Sequence, residues 1–424
     1  VTTGRSERRL TATVTDLSVV RQQAFLVGSI FDHEPERSLD ELARLADTAG
    51  SDPVGRAVLR ARQPNPATLI GSGQASELAH ETARLEVDVV IFDDDLTPTQ
   101  QRNLQKVFTC DVVDRPGLIL DIFAQHATSR AGMLQVELAL LRYHLPRLRG
   151  RGNALSRQAG GIGTRGPGET KLETDRRRIE RRIVKLGVEL EKLERTRATQ
   201  RKARARNDVP LIALVGYTNA GKSTMLNALT GTDVLVEDRL FSTLDATVRR
   251  LELPDGRGVV VSDTVGFVRR IPHDLIAAFH STLEEIADAS VVVHVADASD
   301  PDTEAHIAAV RSVLEELDAA TIPEQLVFNK IDAADPVHLR RLLELHQDAI
   351  ATSCHTGHGF GALLDRVERL LPQETIETTV VVPYDRPDLL AAVWSNTEVL
   401  EEYHTDTGTR FTVRMATKLL PIFS

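Results

Sequence analysis

Eight residues constrain this chain more tightly than any other feature: "GYTNAGKS", Gly216 to Ser223, follows the apolar run "LIALV" and leads into "TMLNAL". The pattern G-x-x-x-x-G-K-[ST] between a strand and a helix calls for a loop whose main-chain N–H groups turn inward around phosphate oxygens. Gly216 and Gly221 permit the turn, Tyr217, Thr218, Asn219 and Ala220 line it, and Thr224 carries it into the helix. Lys222 reaches the β- and γ-phosphates, and the Ser223 hydroxyl is placed to ligate Mg²⁺. An α/β domain must surround this loop.

Further segments follow in the order a GTP site requires. "DTVG" comes after "VVVS", so Asp263 lies at a strand end where its carboxylate can meet Mg²⁺ through water. Thr264 and Val265 lead on to Gly266, whose N–H can meet the γ-phosphate. "NKID", with Asn329, Lys330, Ile331 and Asp332, again follows a strand. The Asp332 carboxylate can accept hydrogen bonds from guanine N1 and N2, which adenine cannot supply, and a site built on such a bond rejects the wrong base by roughly 10⁴. "TSCHTG" offers Ser353, Cys354 and His355 as support for the base.

Between the phosphate loop and Asp263 lies "FSTLD", with Phe241, Ser242, Thr243, Leu244 and Asp245, where a hydroxyl should close the Mg²⁺ shell. Thr243 is the first choice and Thr247 the second. After the switch glycine, where many GTPases carry a water-orienting Gln, stands Phe267. No catalytic side chain is therefore assigned beyond the transition-state charge of Lys222, and hydrolysis by the chain alone is expected to be slow. Asn219 is an alternative aid, helping to hold K⁺ where an arginine finger would otherwise act.

A chain of 424 residues suggests several domains. The alternation of strands and helices predicts a parallel α/β domain over 1–130. "AFLVGSIF" reads as a strand and "SLDELARLADTAG" as a helix opened by Ser38, with Glu41 completing a capping box. "GSGQASEL" has two glycines of a dinucleotide fingerprint but Ser76 at the third position, which fits a strand-to-helix turn better than a second nucleotide site. The acids Asp93, Asp94 and Asp95 read as favouring a helix dipole or facing water, with a metal as the rival reading.

From 131 to 207 the period changes. Leu134, Leu138, Leu141, Leu145 and Leu148, then Ile179, Ile183, Leu186, Leu190 and Leu193, form two heptad stripes that predict an antiparallel helical hairpin, its first arm ended by Pro146. Between Arg142 and Arg206 there are 20 Lys or Arg against 7 Asp or Glu, in a chain of net charge −10. A one-signed surplus repels itself unless a polyanion neutralises it, so the hairpin points to RNA, against the rival of a solvated coiled coil. At its tip, "GGIGTRGPGE" lacks the Lys-Ser pair of a phosphate loop and is read as an RNA probe carrying Arg165, with Arg151, Arg157, Arg176 and Arg177 as further contacts. A loose connector is the alternative.

The phosphate-loop domain is placed at 208–372 and a small βαβ module at 373–424, in which Trp394 is expected in the core. No run approaches the ~20 apolar residues of a membrane span, and neither a signal peptide nor a lipidation motif is visible. Cys110 and Cys354 are the only cysteines and fit a reducing compartment, hence a cytoplasmic location, although the first residue is not Met.

With "GYTNAGKS", "FSTLD", "DTVGF", "NKID" and above all "GGIGTRGPGETKLETDRR", the chain resembles the HflX family of ribosome-associated GTPases, from about residue 22 to 424. The resemblance implies an α/β half and a helical hairpin before the GTPase domain, and binding of GTP, GDP and the large (50S) ribosomal subunit with its rRNA. It also implies a role in splitting stalled or idle ribosomes under stress. A subunit-assembly factor, or a GTP-gated RNA-binding module, shares the same residues. Off the ribosome a monomer is expected.

Overall fold

The computed structural model describes residues 21–28, 31, 35–59, 63–148, 167–206, 209–231, 240–241, 247–269, 286–371, 375–405 and 407–416. Among these, the residues up to 360, apart from 253–257, form one compact unit, and the remainder a second.

The first unit opens with four parallel strands, β1 (Gln22–Val27), β2 (Ser51–Ala57), β3 (Val89–Phe92) and β4 (Asp111–Asp114), in the order β2-β1-β3-β4. Their connections carry α1 (Pro35–Thr48), α2 (Ser72–Arg84), α3 (Pro98–Phe108) and α4 (Arg115–His126). Strand β2 was not legible, because Pro53 and Gly55 are poor strand residues; as an edge strand it tolerates them. Ser38 is a correction: α1 begins three residues before it, so Ser38 is no cap, and its buried hydroxyl donates to Asp93 at 2.5 Å. "GSGQASEL" opens α2 with Gly71 as the cap, though it follows a turn and not a strand. Of the acid run read as favouring a helix dipole or facing water, Asp95 is exposed, whereas Asp93 and Asp94 are buried and Asp93 is bonded to Arg115.

Helix α5 (Arg130–His144) is capped by Ser129 and ends just before Pro146, which starts a short 3₁₀ turn, Pro146–Leu148. Helix α6 (Pro167–Arg206) packs back on α5. Leu134, Leu138 and Leu186 are buried in the seam, flanked by Leu141, Ile183, Leu190 and Leu193, and Arg182 grips Glu137 with bonds of 2.7 and 2.6 Å. The first stripe stops at Leu141, since Leu145 and Leu148 lie beyond the helix that Pro146 ends.

The expected tip loop is shorter than its sequence suggested. Pro167, Gly168 and Glu169 already belong to α6, where proline's missing N–H costs nothing in the first turn. Arg151, Arg157 and Arg165 fall outside the described residues. Arg176 and Arg177 lie on α6 and pair one turn along the helix, with Glu180 at 2.8 Å and Glu173 at 3.1 Å, so part of the expected unpaired surplus is internally neutralised.

A six-stranded sheet completes this unit, in the order β10-β9-β8-β5-β7-β6. It comprises β5 (Leu211–Gly216), β6 (Thr247–Glu252), β7 (Gly258–Asp263), β8 (Val291–Asp297), β9 (Glu324–Asn329) and β10 (Ile350–Ala351), with only β6 antiparallel to its neighbour. Helices α7 (Lys222–Thr230), α8 (Thr303–Glu316) and α9 (Pro336–Leu345) cover it. One buried cluster runs from Leu26, Leu42 and Ile119 through Val136 to Val215, Tyr217, Phe241 and Phe267, so the two sheets share a core.

The second unit holds α10 (Phe360–Leu370), β11 (Thr375–Pro383), α11 (Pro387–Asn396), β12 (Thr397–Thr405) and β13 (Gly408–Ala416). Its three-stranded sheet, β11-β13-β12, is antiparallel, which corrects the expected βαβ. The helix stops at Asn396, and the β-branched Thr397 and Val399 open a third strand that returns through a hairpin to β13. Trp394 is 58% exposed, against the expectation of a core residue, and only its ring meets buried Phe411 edge-on at 6.0 Å.

Candidate active site

Strand β5 delivers the chain to the phosphate loop, and the loop ends as the N-terminus of α7, where free N–H groups and the helix dipole favour an anion. Gly221 carries a φ of 93°, and a side chain there would run into the Asn329 amide. Asn219 is exposed with a φ of 60°. Lys222 is buried and donates to the carbonyls of Gly216 at 3.1 Å and Tyr217 at 2.9 Å, lying back along the loop. Burial pulls its ammonium down to about 8, against the opposing pull of Asp263. Ser223 donates to Asp263 Oδ2 at 2.6 Å, so hydroxyl and carboxylate meet at one point at the end of β7. Ala220 and Thr218 are buried beside them.

The segment after β7 is sewn to the loop by its main chain. Thr264 donates its hydroxyl to the Leu214 carbonyl at 2.7 Å. Thr218 N–H donates to the Phe267 carbonyl at 2.7 Å, and Phe267 N–H returns a bond to Gly216 at 3.1 Å. At Gly266 a Cβ would stand 2.7 Å from Thr218 Cγ2, so only glycine lets the two loops close to this distance. Val265 is buried, and the Phe267 ring is 1% exposed in the shared core. Ser242, Thr243, Leu244 and Asp245 lie outside the described residues. Thr247 is paired across the β6–β7 ladder with Asp263, which puts it on a strand beside the acid.

At the base end, Asn329 links three segments: its amide donates to the Ala220 carbonyl at 2.9 Å, while Oδ1 accepts from Cys354 N–H at 3.2 Å. Lys330, with a φ of 61°, pairs with Asp297 at 2.8 Å, and the Ile331 N–H bonds Thr352. Asp332 is exposed, and the Ser353 hydroxyl beside it holds its carboxyl below the usual range. Ser353 is buried, burial pushes the Cys354 thiol up to about 11, and His355 is exposed. A carboxylate on a rigid turn with its acceptors open to solvent suits an amidine edge such as that of guanine.

Four family models match in succession: "GTP-binding GTPase N-terminal" over 36–124, "GTP-binding GTPase Middle Region" over 126–204, "50S ribosome-binding GTPase" over 211–330 and "HflX C-terminal domain" over 339–419. The chain is 46% identical over 393 residues to the GTPase HflX of Caldanaerobacter subterraneus subsp. tengcongensis, covering 93% of this chain and 91% of that one. The chain belongs to the HflX family of GTPases. It is 42% identical over 390 residues to the HflX of Escherichia coli strain K12, covering 91% and 92% of the two chains. Among solved structures it resembles a GTP-binding protein from the archaeon Sulfolobus solfataricus in complex with GDP, at 24% identity and a TM-score of 0.42, covering 82% of this chain and 98% of the other. As an HflX GTPase the chain hydrolyses GTP at a phosphate loop, and among the described residues no helix is long and apolar enough to cross a membrane.

Beside the HflX motifs stands a second set of side chains that no motif announced. Tyr217, a variable position of the phosphate loop, donates its hydroxyl to Glu41 Oε1 at 2.7 Å and accepts from Arg269 N–H at 2.7 Å, while its ring stacks on His306 at 3.8 Å. Burial and the Glu41 carboxylate raise the Tyr217 phenol far above its ordinary value, so it remains a donor. Arg115, 1% exposed, donates to Glu41 at 2.8 Å, to Asp93 at 2.7 Å and to the Arg269 carbonyl at 3.1 Å. Burial works against its charge, and the carboxylates of Glu41 and Asp93 more than restore it. The one available signal was the "DRPG" of a strand end, which on its own reads as a surface helix start.

Proposed function

We propose that this GTPase binds the large ribosomal subunit in its GTP state and dissociates stalled or idle ribosomes, with hydrolysis releasing it. The observation that carries the reading is the pairing, in one chain, of a complete phosphate loop with a 40-residue helix rich in arginine that is held in the hairpin seam through Ile183, Leu186, Leu190 and Leu193. Away from the seam α6 exposes arginines such as Arg178 and Arg181, with Val184 and Val188 exposed among them, and such a cationic face suits a polyanion. The 50S description of the matching GTPase model supports the same partner.

In this reading the residues from Gly216 to Thr224 cradle the phosphates, Asp332 reads guanine, and Ser353, Cys354 and His355 flank the base. The Ser223–Asp263 contact is a donor set of the right chemistry for Mg²⁺, with Thr243 closing the shell. Mg²⁺ bound there would neutralise charge on the β- and γ-phosphates. With Phe267 turned inward, hydrolysis is slow until a ribosomal surface orders the loops. Asn219, exposed at a left-handed turn of the loop, would hold K⁺. Replacing K⁺ by Na⁺ is then expected to lower the hydrolysis rate at constant ionic strength, and an unchanged rate would remove K⁺ from the scheme.

The deciding experiment is sedimentation of intact ribosomes with the protein and GTP, a non-hydrolysable analogue or GDP. Free subunits are expected with the first two and not with GDP. Intact ribosomes in every case, with large subunits still bound, would select an assembly or RNA-binding role. Binding should weaken with salt by a log–log slope of roughly one per phosphate engaged, the signature of counterion release.

A further inference from the structure

Two consecutive residues at the end of β4 point in opposite directions, each into a different working part of the molecule. Asp114 holds the hairpin. Its Oδ1 accepts from the Tyr143 hydroxyl on α5 at 2.5 Å, and its Oδ2 accepts from Arg147 just beyond α5 at 3.0 Å. The Arg147 guanidinium also lies over the Tyr143 ring, 3.6 Å from its centre, which makes the end of the arm one rigid cluster. Arg115 holds the nucleotide site, through the Arg269 carbonyl and through Glu41 to Tyr217. Helix α4, which starts at Arg115, reaches the other switch too: Phe123 meets Phe241 edge-on at 4.7 Å, immediately before "STLD".

We propose that the Asp114–Arg115 pair transmits the position of the hairpin arm to the phosphate loop and the segment after Gly266, so that RNA engaged by the hairpin sets the rate of GTP hydrolysis. Arg115, Glu41 and Tyr217 are positioning residues, not catalytic ones. The mechanical basis is that every member is buried or half-buried and bonded at both ends, so no link can lengthen without stranding a polar group away from water. A displacement of Tyr143 moves the Asp114 carboxylate, the end of β4 moves with it, and Arg115 carries that shift to Glu41 and Arg269. Linkage requires the converse as well: a nucleotide that moves the segment from Gly266 to Arg269 must change the hairpin. The RNA half of the proposal rests on the ribosomal reading above, whereas the nucleotide-to-hairpin half does not.

Tyr143→Phe and Tyr217→Phe each remove one oxygen, one at either end of the path, and leave both rings in place. The experiment is hydrogen exchange of the full chain with GDP and with a non-hydrolysable GTP analogue, followed at the amides of α5. GTPase rates are measured with and without large subunits in parallel. Wild type is expected to show a nucleotide-dependent exchange difference in α5, which each variant reduces at least threefold. Tyr143→Phe should keep a basal rate within about twofold of wild type while losing most of the stimulation. The double variant should be no worse than the stronger single one, because both act on one path.

The proposal is overturned if α5 exchange is insensitive to nucleotide in wild type, if both variants respond as wild type does, or if the two losses simply add. If large subunits fail to stimulate wild type at all, the ribosomal reading falls, and the exchange measurement still decides the coupling.

Discussion

Asp332→Asn is expected to abolish the preference for guanine, lowering the discrimination between GTP and xanthosine triphosphate by roughly 10⁴. The carboxylate offers two acceptors to the N1–H and N2–H₂ donors of guanine. The asparagine amide presents one acceptor and one donor, which leaves the guanine amino group facing another donor. Xanthine carries an oxygen where guanine carries that amino group, so its pattern matches the amide. The turn at Lys330 fixes the backbone here, and an amide oxygen at residue 332 can still accept from the Ser353 hydroxyl, so the substitution should change recognition without unseating the loop. Competition between the two nucleotides for the purified protein is the measurement. Unaltered GTP preference in the variant would place guanine recognition elsewhere.

Lys222→Ala should reduce the hydrolysis rate by roughly 10²–10³, the scale of losing one fixed charge or donor at a developing anion. The structure adds a condition on pH. Lys222 is buried and its ammonium is drawn down to about 8, so in the nucleotide-free protein it loses its proton as pH rises through that value. Phosphate oxygens brought alongside raise it again. Nucleotide binding must then take up a proton near and above pH 8. Affinity should be full below about 8 and fall as pH climbs from there toward the bound-state value. Calorimetry in two buffers of different ionisation enthalpy detects the uptake. An Ala variant that binds with the same proton uptake would show that another group titrates.

The phosphate loop was legible because its chemistry is written in the backbone: glycine where the main chain must approach closely, lysine and serine where phosphate and cation need them. The hairpin was legible for a different reason, since a heptad stripe interrupted by a proline has few ways to bury itself. Features that depend on a partner distant in sequence were not legible. Arg115 reads locally as a surface residue at a helix start, and only Glu41, 74 residues earlier, and the Arg269 carbonyl, 154 residues later, make it a buried pillar. Ser38 and Glu41 have the spacing of a capping box, but the helix starts earlier and both side chains serve that same buried cluster. In the C-terminal module "TEVL" continues the amphipathic stretch of α11 by sequence, and pairing with β13 outweighs it. The hydroxyl choice between Thr243 and Thr247 falls on a stretch where only Thr247 is described, paired beside Asp263.

The core shared by the two sheets also bears on how the chain is made. Glu41 and Tyr217, which meet at the phosphate loop, are separated by 176 residues, so this contact needs both sheets in place. During synthesis the amino-terminal sheet leaves the ribosome first and can fold around its own strands. It then presents a prepared surface, with Arg115 and Glu41 already paired, on which the later sheet condenses. A phosphate loop completed in this order gains the Tyr217–Glu41 contact only in a chain whose amino-terminal sheet has folded.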